Sequence, residues 1–261
     1  MSLIQSRTDA RSQLLAAFVI YVLFVLITLA LQPGESASNE QRLLAAVSSF
    51  VVGAILAAAC WYFGKRFAAT RTLMADIRFT GSGRIWTSVA LALFALLGGI
   101  AALSGILRVF ELQPAQIATV FFTAATAGVF EEFLARGLIF GAFLLLFRAS
   151  AHRFLAAGLS SAVVFGLLHL SILVTSSVEA VMQQIFYATV FGLIFALVYL
   201  RTRTIWVPVI CHVLIDFQPA VAGGEAPVNQ WVVLVAVFLP LAPVCLVALW
   251  RPDKVQVGRV E

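Results

Sequence analysis

The chain has 261 residues, of which 62% are hydrophobic and only 11% charged, with a formal net charge of +5. Soluble domains carry roughly 45–50% apolar and about 25% charged residues, so a water-soluble globule is excluded: too little polar surface exists to cover the apolar bulk. The basic residues sit in short clusters between apolar runs and form no long stripe, which sets nucleic acid aside as a partner and leaves the lipid bilayer.

A hydrocarbon core about 30 Å thick takes roughly 20 apolar residues of helix. In chain order the runs that meet this ruler are 14–31, 43–64, 86–107, 116–147, 154–174, 180–200, 205–221 and 231–250. Arg7 and Arg11 precede the first run as in a signal peptide. Its apolar stretch is longer than the usual h-region of about 7–15 residues, and no small-x-small cleavage site follows directly, so it reads as a retained helix. After the second run comes a basic loop, 65–85, in which Phe67, Leu73, Met74, Ile77 and Phe79 are interleaved with the charges. An interfacial segment on anionic headgroups and a plain solvated loop both fit that pattern. Gly98, Gly99, Ala102 and Gly105 give the third run a small-residue face for close helix approach. In the last run Pro240 and Pro243 predict a kink, because proline removes a donor and clashes with the preceding turn. Cys60, Cys211 and Cys245 each lie in an apolar run, as thiols acting as small hydrophobes do.

The loops check this count independently. With the N-terminus in the cytoplasm, the inner side holds Arg7, Arg11, Lys65, Arg66, Arg71, Arg78, Arg84, Arg148, Arg153, Arg201, Arg203, Arg251, Lys254 and Arg259. The outer side holds only Arg42 and Arg108, with Arg136 inside a helix. A wrong count would scramble this asymmetry. The expected fold class is therefore all-α: a polytopic transmembrane helix bundle of about eight spans, N-in and C-in.

Most charges are then absorbed by loops. Those left within the runs are Glu131, Glu132, Arg136 and Asp216, together with His169 and His212. Ionisable groups at bilayer depth cost on the order of a few kcal/mol each, so they mark functional sites by default, and their confinement to three runs points to one shared polar chamber. Glu132 and Arg136 are four apart and share a helix face, which makes an ion pair easy. Glu131 is rotated about 100° from Glu132 and is free to point elsewhere. A purely structural ion-pair cluster is the bland alternative. Phe165 and His169 share a face of the fifth run, and His212 and Asp216 a face of the seventh, where a carboxylate one turn away can orient an imidazole. A buried His–Asp hydrogen bond that only stabilises the bundle explains the last pair equally well.

Taken in order, E-E-x-x-x-R at 131–136, F-x-x-x-H at 165–169 and H-x-x-x-D at 212–216 resemble the CPBP intramembrane proteases. That family comprises the type II CAAX prenyl endopeptidases and the bacteriocin-processing and self-immunity proteins. The resemblance covers roughly 115–220 and implies a catalytic core there. It is flanked by an N-terminal three-helix membrane region, 1–114, and by a final helix with its cytoplasmic tail, 221–261. It implies an intramembrane endopeptidase acting on a membrane-anchored peptide or protein. Glu131 would be the base that activates water, His169, His212 and Asp216 further catalytic groups, and Glu132, Arg136 and Phe165 their support. The expected location is the inner membrane of a bacterium.

From chemistry, peptide hydrolysis needs an activated water, a stabilised oxyanion and a proton for the leaving amine. The histidines can position the water, donate to the oxyanion or return the proton. Glu131, His169 and His212 are also a known catalytic zinc set, but the compact H-E-x-x-H spacing that would make zinc the default is missing. A metal-free glutamic mechanism without cofactor is expected, with zinc on those three residues as its alternative. Asp216 either orients His212 as an acceptor or is kept protonated by burial; the first is preferred. The rival function is a non-catalytic membrane scaffold or immunity protein of the same fold. A proton- or ion-coupled transporter follows it, disfavoured because no paired halves are visible.

Overall fold

Inside lipid every backbone N–H and C=O needs an internal partner, which leaves helices as the economical solution for a chain this apolar. The computed structural model describes residues 3–34, 36–66, 79, 81–222 and 228–250, and among these all regular structure is helical. The elements are α1 (Leu3–Ala30), α2 (Asn39–Arg66), α3 (Gly81–Val109), α4 (Pro114–Glu132), a π-helical stretch (Phe133–Ile139), α5 (Phe140–Leu146) and α6 (Arg153–Leu168). A 3₁₀ turn (His169–Val174) leads to α7 (Val178–Thr202) and α8 (Trp206–Asp216), and a second one (Pro219–Ala222) precedes α9 (Trp231–Phe238) and α10 (Leu241–Trp250).

Each apolar run of the sequence is thus a helical rod, and the bundle is polytopic. Among the described residues six rods are long and apolar enough to cross a membrane: Thr8–Ala30, Asn39–Gly64, Gly81–Val109, Arg153–Val174, Val178–Thr202 and Trp231–Trp250. The other two carry the charges. The rod α4–π–α5 holds Glu131, Glu132 and Arg136 and is interrupted by the π stretch, where a regular helix is expected. The rod at 205–221 ends as helix at Asp216, so α8 has 11 residues and a length of about 16 Å, roughly half the hydrocarbon thickness. The last rod breaks at Leu239–Pro240, where the proline predicts it.

Packing explains which helices sit inside. α7 is central: Gly192 to Val198 are buried without interruption, and Ile194, Ala196 and Leu197 are fully so. These residues form one apolar cluster with α3, α6 and α10, while α1, α2, α4 and the π stretch form a second. α8 touches both. Val209 belongs to the second cluster, Cys211 and Ile215 pack on the first, and His212 lies between them. The outward faces are apolar too, with Leu15, Phe18, Leu26, Val51, Ile55 and Leu103 exposed, as a lipid-facing surface requires. Of the small residues in α3, Gly105 makes a close approach, since a Cβ there would meet the Phe217 carbonyl oxygen at 2.7 Å, whereas Gly99 faces open space. The cysteines are free, Cys60 and Cys245 being buried. Most of the interleaved loop 65–85 and the tail from Arg251 lie outside the described residues; Phe79 packs on the first cluster.

Candidate active site

The close approach of α4 to α8 positions the site. A Cβ on Gly128 would fall 3.0 Å from the Val213 nitrogen and 3.1 Å from the Val209 carbonyl oxygen, so only glycine lets the two backbones meet. One turn further along α4 stand Glu131 and Glu132, facing the turn of α8 that carries His212. The adjacent glutamates then take different environments. Glu132 is fully buried, whereas the Glu131 side chain keeps 26% of its surface open.

Glu132 is the hub of the buried part. Its Oε1 accepts from Arg136 Nη1 at 3.0 Å and from His212 Nδ1 at 2.9 Å. The pairing with Arg136 follows the four-residue spacing; the link to His212 joins positions 80 residues apart. Arg136, buried as well, also donates through Nη2 to the Gly192 carbonyl at 3.2 Å. Its guanidinium lies over the Phe165 ring at 4.8 Å and the Phe195 ring at 5.3 Å. A buried charge is tolerated only when paired and hydrogen-bonded in this way.

Both histidines have one nitrogen held by the protein and the other turned to Glu131. His169 Nδ1 lies 3.1 Å from the Phe165 carbonyl oxygen, which can only accept, so Nδ1 carries the proton. His212 Nδ1 faces the Glu132 carboxylate for the same reason. The two Nε2 atoms stand 4.0 Å (His169) and 3.9 Å (His212) from a single oxygen, Glu131 Oε2. Phe165 supports both rings, with its own ring edge-on to His169 and His212 at 5.3 and 6.2 Å. Asp216 stands 3.4 Å from His212 Nε2 rather than at Nδ1. The residue that orients His212 through Nδ1 is therefore Glu132, an acceptor that the i, i+4 pattern within α8 cannot reveal.

Gaps of 3.9 and 4.0 Å suit a water held at ordinary hydrogen-bond lengths from all three atoms. A tetrahedral zinc, at about 2.0–2.2 Å from N and O ligands, would draw those atoms to about 3.4 Å of one another. The separations are wider, and among the described residues no group of three or more His, Cys, Asp or Glu is arranged to hold a metal ion.

Glu131 and His169 open onto a cavity of about 190 Å³ whose other wall is α1, through Tyr21, Phe24, Val25, Thr28 and Leu29, with Gln32 just past its end. The Tyr21 hydroxyl donates to the Leu168 carbonyl, immediately before His169, and Phe24 stacks on Phe130. Sequence reasoning placed α1 as a retained helix but missed its part in the site. The available signals were Tyr21 and Thr28, two polar groups in an otherwise apolar run.

Comparison with known proteins agrees with this placement. Residues 113–218 match the family model described as type II CAAX prenyl endopeptidase Rce1-like. Over 88 residues the chain is 34% identical to the YdiL protein of Bacillus subtilis (strain 168), whose name assigns it only provisionally as a membrane peptidase. The aligned part is 34% of this chain and 30% of that relative, so the match spans under a third of the relative's length. No solved structure matches. The segment that carries Glu131, Glu132, Arg136, Phe165, His169, His212 and Asp216 thus matches the Rce1-like family of type II CAAX prenyl endopeptidases.

Proposed function

We propose that this protein is an intramembrane endopeptidase of a bacterial inner membrane, hydrolysing a peptide bond in a membrane-anchored peptide or protein by a metal-free glutamic mechanism. The observation that carries the reading is the convergence of both Nε2 atoms on Glu131 Oε2, beside a cavity that Glu131 partly lines. A water seated among these atoms is activated by Glu131, which takes its proton as the oxygen attacks the scissile carbonyl. His212, whose Nε2 is flanked by both Glu131 and Asp216, acts as an imidazolium that donates from Nε2 to the water and then to the developing oxyanion, while His169 accepts from the water through its unprotonated Nε2. Collapse of the tetrahedral intermediate breaks the C–N bond, and the proton held on Glu131 passes to the leaving amine. Glu132 and Arg136 do not touch the substrate; they hold His212 at the correct angle. The bacterial relative and the Rce1-like match support the membrane peptidase class.

The test is turnover of a library of membrane-anchored peptides by purified protein. Glu131→Gln keeps the shape and removes the base, so cleavage should fall by at least about 10²-fold in a folded protein. A Glu131→Gln enzyme with near-normal turnover per folded molecule would overturn the assignment.

A further inference from the structure

The cavity beside Glu131 has a direction. Its α1 residues, at 21, 24, 25, 28 and 29, follow the i, i+3, i+4, i+7 spacing of one helical stripe, and Gln32 lines it from two residues past the helix end. The stripe is set apart from the rest of the helix: Leu23, Leu26 and Ile27, between its members, are exposed on the outer face. At one end of the cavity lie Phe24, Phe130 and Phe165 beside Glu131 and His169; at the other lie Gln32 and Thr175, where α1 and the 3₁₀ turn both end. From Tyr21 to Ala30 the helix rises about 14 Å, and Gln32 stands two residues beyond its end. At about 190 Å³ the cavity encloses the bulk of only about two residues and has no room for a helix roughly 10 Å across, so a longer peptide lies along the stripe with most of its side chains outside the cavity. It suits an extended chain, which covers the distance in about five residues.

We propose that α1, which lies outside the family-matched segment, forms the outer wall of the substrate groove. A membrane-associated peptide lies along it in extended form, enters from the end carrying the α1–α2 connection, and is cut about five residues from that end. Apolar side chains flank the scissile bond, because the deep part of the groove is aromatic and aliphatic, and polar backbone is met by Thr28, Gln32 and Thr175 near the mouth. This rests on the endopeptidase reading for the meaning of the cut, but the groove is testable by binding alone.

The probe is a library of biotinylated, N-myristoylated dodecapeptides in detergent micelles. The full-length Glu131→Gln protein carries p-benzoylphenylalanine in place of Val25, facing the groove, or of Leu26, facing lipid. Irradiation should capture peptide at position 25 at least about tenfold over position 26. In parallel the catalytically intact protein is assayed on the same peptides, with Val25→Trp and Leu26→Trp. Filling the groove should raise KM about tenfold while kcat at saturation stays near normal, and Leu26→Trp should change neither. Equal or absent capture at both positions, with the wild type still cutting, overturns the groove and leaves the endopeptidase reading intact. Capture at position 25 with no cleavage by the wild type keeps the groove and overturns the endopeptidase reading. No capture and no cleavage overturns both. If Val25→Trp fails to fold, Thr28→Ala, which removes one of the polar groups near the mouth, must still shift KM more than kcat for the groove to stand.

Discussion

Replacing Glu132 with glutamine separates the two adjacent glutamates. The amide keeps a carbonyl oxygen where Oε1 accepts from Arg136 and His212, so both hydrogen bonds can persist, but the charge is gone. Arg136, only 2% exposed, then keeps the Gly192 carbonyl and two aromatic faces without a counter-ion from Glu132. Removing one partner of a buried pair costs about 3–5 kcal/mol, and retention of the dipole favours the lower end, about 3 kcal/mol. The new NH₂ group takes the place of Oε2, which has no partner among the described residues, so it adds nothing favourable. His212 exchanges a charged acceptor for a neutral one, a loss of about 1 kcal/mol in its orientation, or somewhat under tenfold in turnover. Thermal unfolding in detergent should therefore show a clear loss of stability. Turnover per folded molecule should fall about fivefold, far less than for Glu131→Gln. The double variant Glu132→Gln, Arg136→Gln should regain stability relative to Glu132→Gln, because the orphaned cation is removed. A Glu132→Gln protein as stable as wild type, yet as inactive as Glu131→Gln, would refute this reasoning and move the base to Glu132.

Gly128→Ala should cost about 1–3 kcal/mol by forcing α4 from α8 and should lower turnover through the Glu132–His212 bond; a stable, fully active variant would show the contact to be slack. Activity should survive exhaustive chelation, and loss reversed by stoichiometric zinc would make Glu131, His169 and His212 ligands instead. Reporter fusions after about residue 37 and about residue 75 should report opposite compartments, with the N-terminus inside. The same fusions decide from which side of the membrane the α1 groove opens.

The rods and the buried ion pair were legible because their signals are local. Twenty apolar residues need no partner to identify them, and Glu132 with Arg136 sit one turn apart on a single helix. His169 and Phe165 were legible for the same reason, since the Nδ1 contact to the Phe165 carbonyl is also a four-residue step. The Glu132–His212 bond was not, because it depends on how closely α4 meets α8, and Gly128 says only that something comes near. The role of α1 was hidden by its uniform apolarity: a helix facing lipid on one side and a groove on the other reads the same all round. The π stretch after Glu132 leaves no mark in composition.

The helices that fall short of a full apolar span are also the ones that bear the carboxylates and the guanidinium of the site, and the two properties have one cause. A charge facing lipid is penalised, so Glu132 and Arg136 require a helix shielded on every side. α4 and its π continuation have that shield from α1, α2, α6 and α8. α8, too short to span, can lie inside the bundle and bring His212 onto Glu132 at 2.9 Å. Burying one carboxylate with its cation is then what leaves the next residue free. Glu131 stays partly open only because Glu132, turned about 100° away, satisfies both Arg136 and His212. Had the pair been reversed, the free carboxylate would face the closed side of α4, with neither imidazole nor cavity before it.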